Sequence, residues 1–270
     1  MNAQVFPISE SMAPVVSNDA VNAEYFHLIL EASAGMQAAT PGQFFHLRCP
    51  GVSGESPLLR RPMSVYRVDR VRGHVEFLYK VTGAGTRGLA TLQRGDSLDV
   101  FGPLGRGFQM APETRHVLLV ARGVGMATMA PLAESAQAAG ARVTAILSAR
   151  SPEFLMSNDY LKSVGAVTRA VYDADASSDM LHVEAMITAL HAEQPIDLLA
   201  TCGSNRLLQL VKQLGARFGI PGQVALEQHM GCAIGMCFCC VRAFRTAEKV
   251  TYRRVCCEGP VFDVRETLSW

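Results

Sequence analysis

Six of the eight cysteines in this 270-residue chain fall within its last forty positions. Cys232, Cys237 and Cys240 are spaced C-x4-C-x2-C, and the doublet Cys256-Cys257 follows downstream. Thiolates at that spacing wrap a [2Fe–2S] cluster when a fourth cysteine comes from further along the chain. Ala233 and Gly235 between them are small enough for backbone N–H groups to approach the sulfides and tune the potential. A Zn(Cys)4 site and disulfides are the competing readings. Zinc knuckles favour C-x2-C pairs at both ends, whereas the second end here is a doublet. Spacing alone leaves both Cys256 and Cys257 open as the fourth ligand. Cys239 reads as a bystander beside Cys240, and Cys49 and Cys202 lie in other parts of the chain.

Three further stretches have the residue types that hold phosphates. Arg61-Pro62-Met63-Ser64 puts a guanidinium and a hydroxyl three residues apart, able to serve one phosphate. Gly83-Ala-Gly85-Thr86 offers a glycine turn whose N–H groups suit a pyrophosphate. Val120-Ala-Arg122-Gly123-Val-Gly125 follows an apolar run and opens a helical one, where a dinucleotide pyrophosphate would meet helix N–H groups, although it is not a G-x-G-x-x-G fingerprint. A second turn, Thr201-Cys202-Gly203-Ser204, follows a later apolar run. At the carboxyl ends of parallel strands, both turns would face one crevice. No acid–base pair or nucleophile triad stands out, so no catalytic residue is assigned, and the chain reads as a carrier of electrons.

The elements that must position these residues follow from periodicity. Residues 1–110 carry short β-rich runs, Tyr25–Leu30, Phe44–Leu47, Met63–Tyr66 and Val75–Tyr79, between Gly, Pro and Asp punctuation, the mark of an antiparallel barrel or sandwich. Residues 111–221 alternate apolar strands with helices. Strands are expected over His116–Val120, Arg142–Leu147, Ala166–Tyr172 and Asp197–Thr201, and helices through Ala139 and over Pro152–Val164, Met180–Ala192 and Arg206–Phe218. That order predicts a doubly wound parallel sheet. Residues 222–270 are rich in Gly and Cys and too poor in apolar residues for an independent core, so a metal is expected to hold them. A net charge of +1 gives no nucleic-acid or anionic-membrane footprint. The N-terminal residues show no basic stretch followed by an apolar one, and the longest apolar stretch is broken by Arg122. The expectation is a cytoplasmic chain, where clustered cysteines serve metal or redox chemistry.

Barrel, R-P-x-S, glycine turn, Gly102-Pro-Leu-Gly-Arg-Gly-Phe108, α/β unit, C-G turn and the cysteine run ending in Gly259-Pro-Val-Phe262 occur here in one order. That order resembles the ferredoxin reductase superfamily and, within it, the electron-transfer subunits of dihydroorotate dehydrogenase B. The likeness runs over essentially the whole chain and is most specific at Glu227–Cys232 and Val255–Phe262. It implies an FAD-binding barrel over 1–110, an NAD(P)-binding α/β domain over 111–221 and a [2Fe–2S] domain over 222–270. It also implies that Arg61, Pro62, Met63 and Ser64 bind FAD, with Gly85 and Thr86 near its pyrophosphate. Gly123 and Gly125 would receive NAD(H), with Cys202 and Gly203 near the nicotinamide. The fourth cluster ligand becomes Cys256, with Cys257 spare. The implied partner is a catalytic oxidoreductase subunit, usually an FMN-containing dihydroorotate dehydrogenase. Related subunits serve ferredoxin, sulfite or other dehydrogenases; a zinc-stabilised binding module is the reading of another class. The chain departs from the family at Ala121-Arg122-Gly123, where glycines are usual, in Met126–Met129 ahead of Ala130-Pro131-Leu132, and at Ser204, where proline is usual.

Overall fold

A computed structural model describes residues 8–52 and 54–269. The first part of the chain forms β1 (Ser9–Ala20), β2 (Tyr25–Glu31), the short helix α1 (Ala34–Gln37), β3 (Phe44–Leu47), β4 (Arg61–Ser64), β5 (Arg67–Asp69), β6 (His74–Lys80), α2 (Ala84–Leu89) and β7 (Ser97–Leu104). The seven strands make an antiparallel sheet in the order β4-β3-β7-β1-β2-β6-β5. Its outermost strands, β4 and β5, are neighbours in the chain, so the sheet curls toward closure. Val65 N–H bonds to the Gln43 carbonyl beside β3 at 3.0 Å, whereas Tyr66 N–H bonds to the Glu76 carbonyl of β6 at 2.9 Å. This splits the strand expected over Met63–Tyr66. Leu28 and Leu30 of β2 and Val75, Phe77 and Tyr79 of β6 alternate into the barrel core, as strand geometry requires.

The rest of the chain contributes β8 (His116–Arg122), α3 (Gly125–Ala138), β9 (Arg142–Ala149), α4 (Asn158–Ser163), β10 (Val167–Tyr172), α5 (Met180–Glu193), β11 (Leu198–Cys202), α6 (Asn205–Phe218) and β12 (Gly222–Ala225). It ends with β13 (Val241–Arg245), β14 (Val250–Arg254), α7 (Val255–Glu258) and β15 (Val261–Asp263). A six-stranded sheet runs β10-β9-β8-β11-β12-β15, parallel except for β15 at one edge. The single helix expected over Pro152–Val164 is two pieces, a 3-10 turn at Pro152–Phe154 and then α4. Ser157 between them has φ +63°, which no helix continues through.

Helices cover both faces of this sheet. On one, α3 packs with Leu161 of α4 and with Tyr25, Tyr66, Leu78 and Phe108 of the barrel. On the other, α5 and α6 share a core with Met230, Phe244, Val255, Phe262 and Val264. The cysteine-rich segment thus lies against a face of the α/β unit, and two strands of the sheet, β12 and β15, come from beyond residue 221. Among the described strands, the hairpin β13-β14 alone stands outside the two large sheets. Among the described residues no helix is long and apolar enough to cross a membrane.

Candidate functional site

A cavity of about 560 Å³ opens where barrel, α/β unit and cysteine-rich segment meet. Arg61 to Ser64 of β4 and Gly83, Gly85 and Thr86 at α2 form the barrel wall. Val124, Ala127 and Thr128 at the start of α3 form a second wall, and Leu226 to Met230 a third. Arg61 lies across Gly85, where an added Cβ would sit 2.9 Å from its Nε. Its guanidinium donates to the Leu59 carbonyl at 2.5 Å, and no carboxylate pairs with it among the described residues. An uncompensated cation beside a glycine turn suits a phosphate. The Thr86 hydroxyl accepts from Thr82 N–H (2.8 Å) and Gly83 N–H (3.1 Å), so it shapes the turn and leaves contact with an anion to other groups.

The two nucleotide-type turns touch each other. A Cβ on Gly125 would lie 2.8 Å from the Cys202 carbonyl oxygen, and one on Gly203 would lie 2.7 Å from the Arg122 carbonyl oxygen. Gly203 also has φ +92°, so glycine is required there both for space and for conformation, and Gly123 has φ +54°, a conformation that favours glycine. Cys202 is fully buried beneath them, and burial, then the nearby Glu227 carboxylate, pushes its thiol up to about 12. Glu227 lines the cavity. Enclosure there raises its carboxyl above the ordinary value.

Arg122 points along the strand ends. It donates to Ser148 Oγ at 3.1 Å and to Asp173 Oδ1 at 2.9 Å, bridging the ends of β8, β9 and β10. Asp173 is held at about 2 by that guanidinium and by the Ser178 hydroxyl. The cation is therefore neutralised in place.

The cysteines form two pairs. The free Cys232 and Cys237 thiols hydrogen-bond to each other, and the N–H groups of Met236 and Cys237 point at Cys232 Sγ at 3.2 and 3.3 Å. Burial works against the Cys232 thiolate, but those backbone hydrogen bonds outweigh it and bring the thiol down to about 7. The Cys240 and Cys256 thiols form the second pair, with Cys256 N–H 3.4 Å from Cys240 Sγ. Burial, then Cys240, pushes the Cys256 thiol up. Cys257, the next residue of α7, faces elsewhere, toward Gly235, where an added Cβ would meet its Sγ at 2.7 Å. Two separate thiol pairs suit a cluster of two irons, each taking two cysteines. Among the described residues, no group of three or more His, Cys, Asp or Glu is placed to hold a single metal ion.

The model of the iron–sulfur cluster binding domain of dihydroorotate dehydrogenase B matches residues 227–268, and that of the oxidoreductase FAD-binding domain matches 13–108. Among characterised relatives, the dihydroorotate dehydrogenase B (NAD(+)) electron transfer subunit of Shouchella clausii is 33% identical over 259 residues, 94% of this chain and 96% of that protein. The corresponding subunit of Bacillus cereus strain Q1 is 31% identical over 257 residues, with the same coverage. The chain belongs to the family of dihydroorotate dehydrogenase B electron transfer subunits. It is an electron-transfer subunit with an FAD-binding domain and a [2Fe–2S] domain on a ferredoxin reductase-like fold. The structure of NADH-dependent reduced ferredoxin-NADP oxidoreductase superposes with a TM-score of 0.79 at 28% identity, covering 95% of this chain and 89% of that one. Ferredoxin-NADP+ reductase from Plasmodium falciparum shares the fold at a TM-score of 0.61 and 13% identity, over 80% of this chain and 96% of that one.

Glu227, Lys80, Val124 and Thr128 line this subunit's cavity without having been assigned a role from sequence. Glu227 opens the motif Glu227–Cys232, which was its one visible signal. Lys80 sits at the end of β6 and is marked by nothing in its local sequence.

Proposed function

We propose that this subunit carries electrons between NAD(H) and its [2Fe–2S] cluster through FAD, to or from a catalytic oxidoreductase subunit of the FMN-containing dihydroorotate dehydrogenase type. One observation carries this reading: the cavity is walled by the phosphate-type residues of the barrel, by the start of α3, and by Met230, two residues before Cys232. A group seated there lies against the nucleotide turn on one side and the cluster loop on the other. Bound FAD accepts a hydride as a pair of electrons and returns them singly.

The chain's own residues supply the setting. Arg61 and Ser64 would hold phosphate oxygens of FAD, with the backbone at Gly85 and Thr86 near its pyrophosphate and Pro62 and Met63 in the same binding strand. Gly123 and Gly125 would receive the nicotinamide dinucleotide, with Cys202 and Gly203 near its ring. The neutral Cys202 thiol fills space without adding charge. Glu227, whose carboxyl lies above the ordinary carboxylate value, stands at the edge of the cavity. Cys232, Cys237, Cys240 and Cys256 ligate the cluster. Ile234, Met236 and Phe238 beside them are 48%, 74% and 63% exposed, an apolar collar where the catalytic subunit would dock.

The test is an anaerobic preparation assayed for iron, sulfide and flavin, then mixed with NADH. About two irons, two sulfides and one FAD, bleached by NADH, are expected, and dihydroorotate should reduce NAD once the partner is added. Zinc in place of iron, or a flavin that NADH leaves oxidised, overturns the reading. A second reading, an accessory subunit of a ferredoxin-linked NADP oxidoreductase, has the likeness to that solved structure in its favour; the subunit that co-purifies separates the two.

A further inference from the structure

The turn that opens β2 leaves the barrel and touches both loops of the nucleotide crevice. The Tyr25 hydroxyl stands 3.4 Å from where a Gly123 Cβ would be. Asn22 Nδ2 donates to the Glu153 carbonyl at 3.3 Å. Between them, Glu24 accepts from Arg150 Nη2 with both oxygens, at 2.9 and 3.1 Å, and from Lys80 Nζ at 2.8 Å. The face of the Arg150 guanidinium lies 4.4 Å over the Phe154 ring. Arg150 directly follows the last residue of β9, the second strand of the β8-α3-β9 unit. Dinucleotide-binding units read the adenosine ribose near that position, an acid accepting from the 2′-hydroxyl and an arginine pairing with a 2′-phosphate. This chain has the arginine, but a carboxylate from the barrel already occupies it. The other nearby guanidinium, Arg122, is committed to Asp173.

We propose that Glu24 is a specificity-determining residue that sets this subunit's preference for NAD(H) over NADP(H). It occupies the Arg150 Nη2 donor with which a 2′-phosphate would pair. A free 2′-hydroxyl meets no such penalty and gains an acceptor. The proposal rests on the reading of the crevice as an NAD(H) site.

The test measures calorimetric binding of AMP and of adenosine 2′,5′-bisphosphate to the FAD-loaded subunit, alongside flavin bleaching by NADH and NADPH. Wild-type protein should favour AMP and NADH. In Glu24→Gln the ratio of AMP to bisphosphate affinity should fall by roughly tenfold or more, the worth of a charge-assisted hydrogen bond. The double variant Glu24→Gln/Arg150→Ala should lose that gain. Flavin content and Tm establish that each variant is folded. An unchanged ratio in Glu24→Gln overturns the proposal, as does a gain that survives in the double variant, which would assign it to Lys80. Where AMP binds and NADH bleaches the flavin, such a result sinks the proposal alone. Wild-type protein that binds neither nucleotide sinks the underlying reading with it.

Discussion

Cys256 and Cys257 are adjacent and chemically identical, yet α7 separates their fates. Successive helical residues point about 100° apart, so Cys256 meets Cys240 and the Gly235 backbone while the Cys257 sulfur lies over the Gly235 Cα, away from Cys240. Cys256→Ser should abolish the visible spectrum of the cluster and lower bound iron, whereas Cys257→Ser should keep about two irons per chain. The reverse outcome, read by iron and sulfide assay, would exchange their roles. Glu227 makes a second prediction. Its carboxyl is raised by enclosure, so the folded state holds the proton more tightly than the unfolded one. The resulting stability is complete below the ordinary carboxylate range and is lost as pH rises through the raised value. Glu227→Gln, which stays neutral, should melt above wild type at pH 8, with the gap closing toward pH 4.

At the scale of elements, β3 joins the flavin wall to the cluster loop. His46 in β3 pairs across the sheet with Pro62 of β4, is 2% exposed, and bonds toward the backbone of Met230 and Arg60. Its Nε2 has no hydrogen-bond partner. Burial, reinforced by the Arg60 charge, lowers its pKa to about 4. The unfolded chain therefore takes the proton first. Stability is complete above about 6.5 and declines as pH falls toward 4, by about 3 kcal/mol over the interval at about 1.4 kcal/mol per pH unit. Urea melts of His46→Gln across that interval should show a slope flatter by about this amount. An unchanged slope would mean that other groups carry the acid sensitivity. The cluster loop presents its own element-scale test. Met236→Glu should weaken association with the catalytic subunit, read by gel filtration of the mixture, and leave flavin and iron content unaltered.

For the whole molecule, the cysteine-rich segment adds side chains to a core it shares with α5 and α6. Removing the cluster and removing the segment are therefore different perturbations. Cys232→Ser/Cys237→Ser should lose iron yet retain FAD, because Phe244, Val255, Phe262 and Val264 still cover the sheet. Truncation after residue 226 would strip those four and Met230 from the shared core. Each buried apolar side chain is worth roughly 1.5–3 kcal/mol, and a domain's whole stability is only about 5–15 kcal/mol. The truncated chain should aggregate on expression, not persist as a two-domain flavoprotein; a soluble, FAD-binding truncation would show the segment to be dispensable.

The sequence by itself determined the order of the parts and the chemistry of the cysteines. Apolar runs such as His116–Val120 and the C-x4-C-x2-C spacing are local patterns, and local patterns survive in one dimension. It left β1 unseen, because Ser9–Ala20 buries little beyond Ala13 and Val15 and contains Pro14; its strand form comes from pairing with β2 and β7 on either side. It left β12 and β15 unseen for the same reason, since strands of four and three residues exist through their neighbours. Only the tertiary structure decided the commitment of Arg122 to Asp173 and the capture of Arg150 by Glu24, and it set beside Cys240 the Cys256 to which the resemblance had pointed. Each is a contact between residues far apart in the chain, 126 positions in the case of Glu24 and Arg150. A side chain's partner is set by which surfaces the packed sheets bring together, and no local run of residues encodes that.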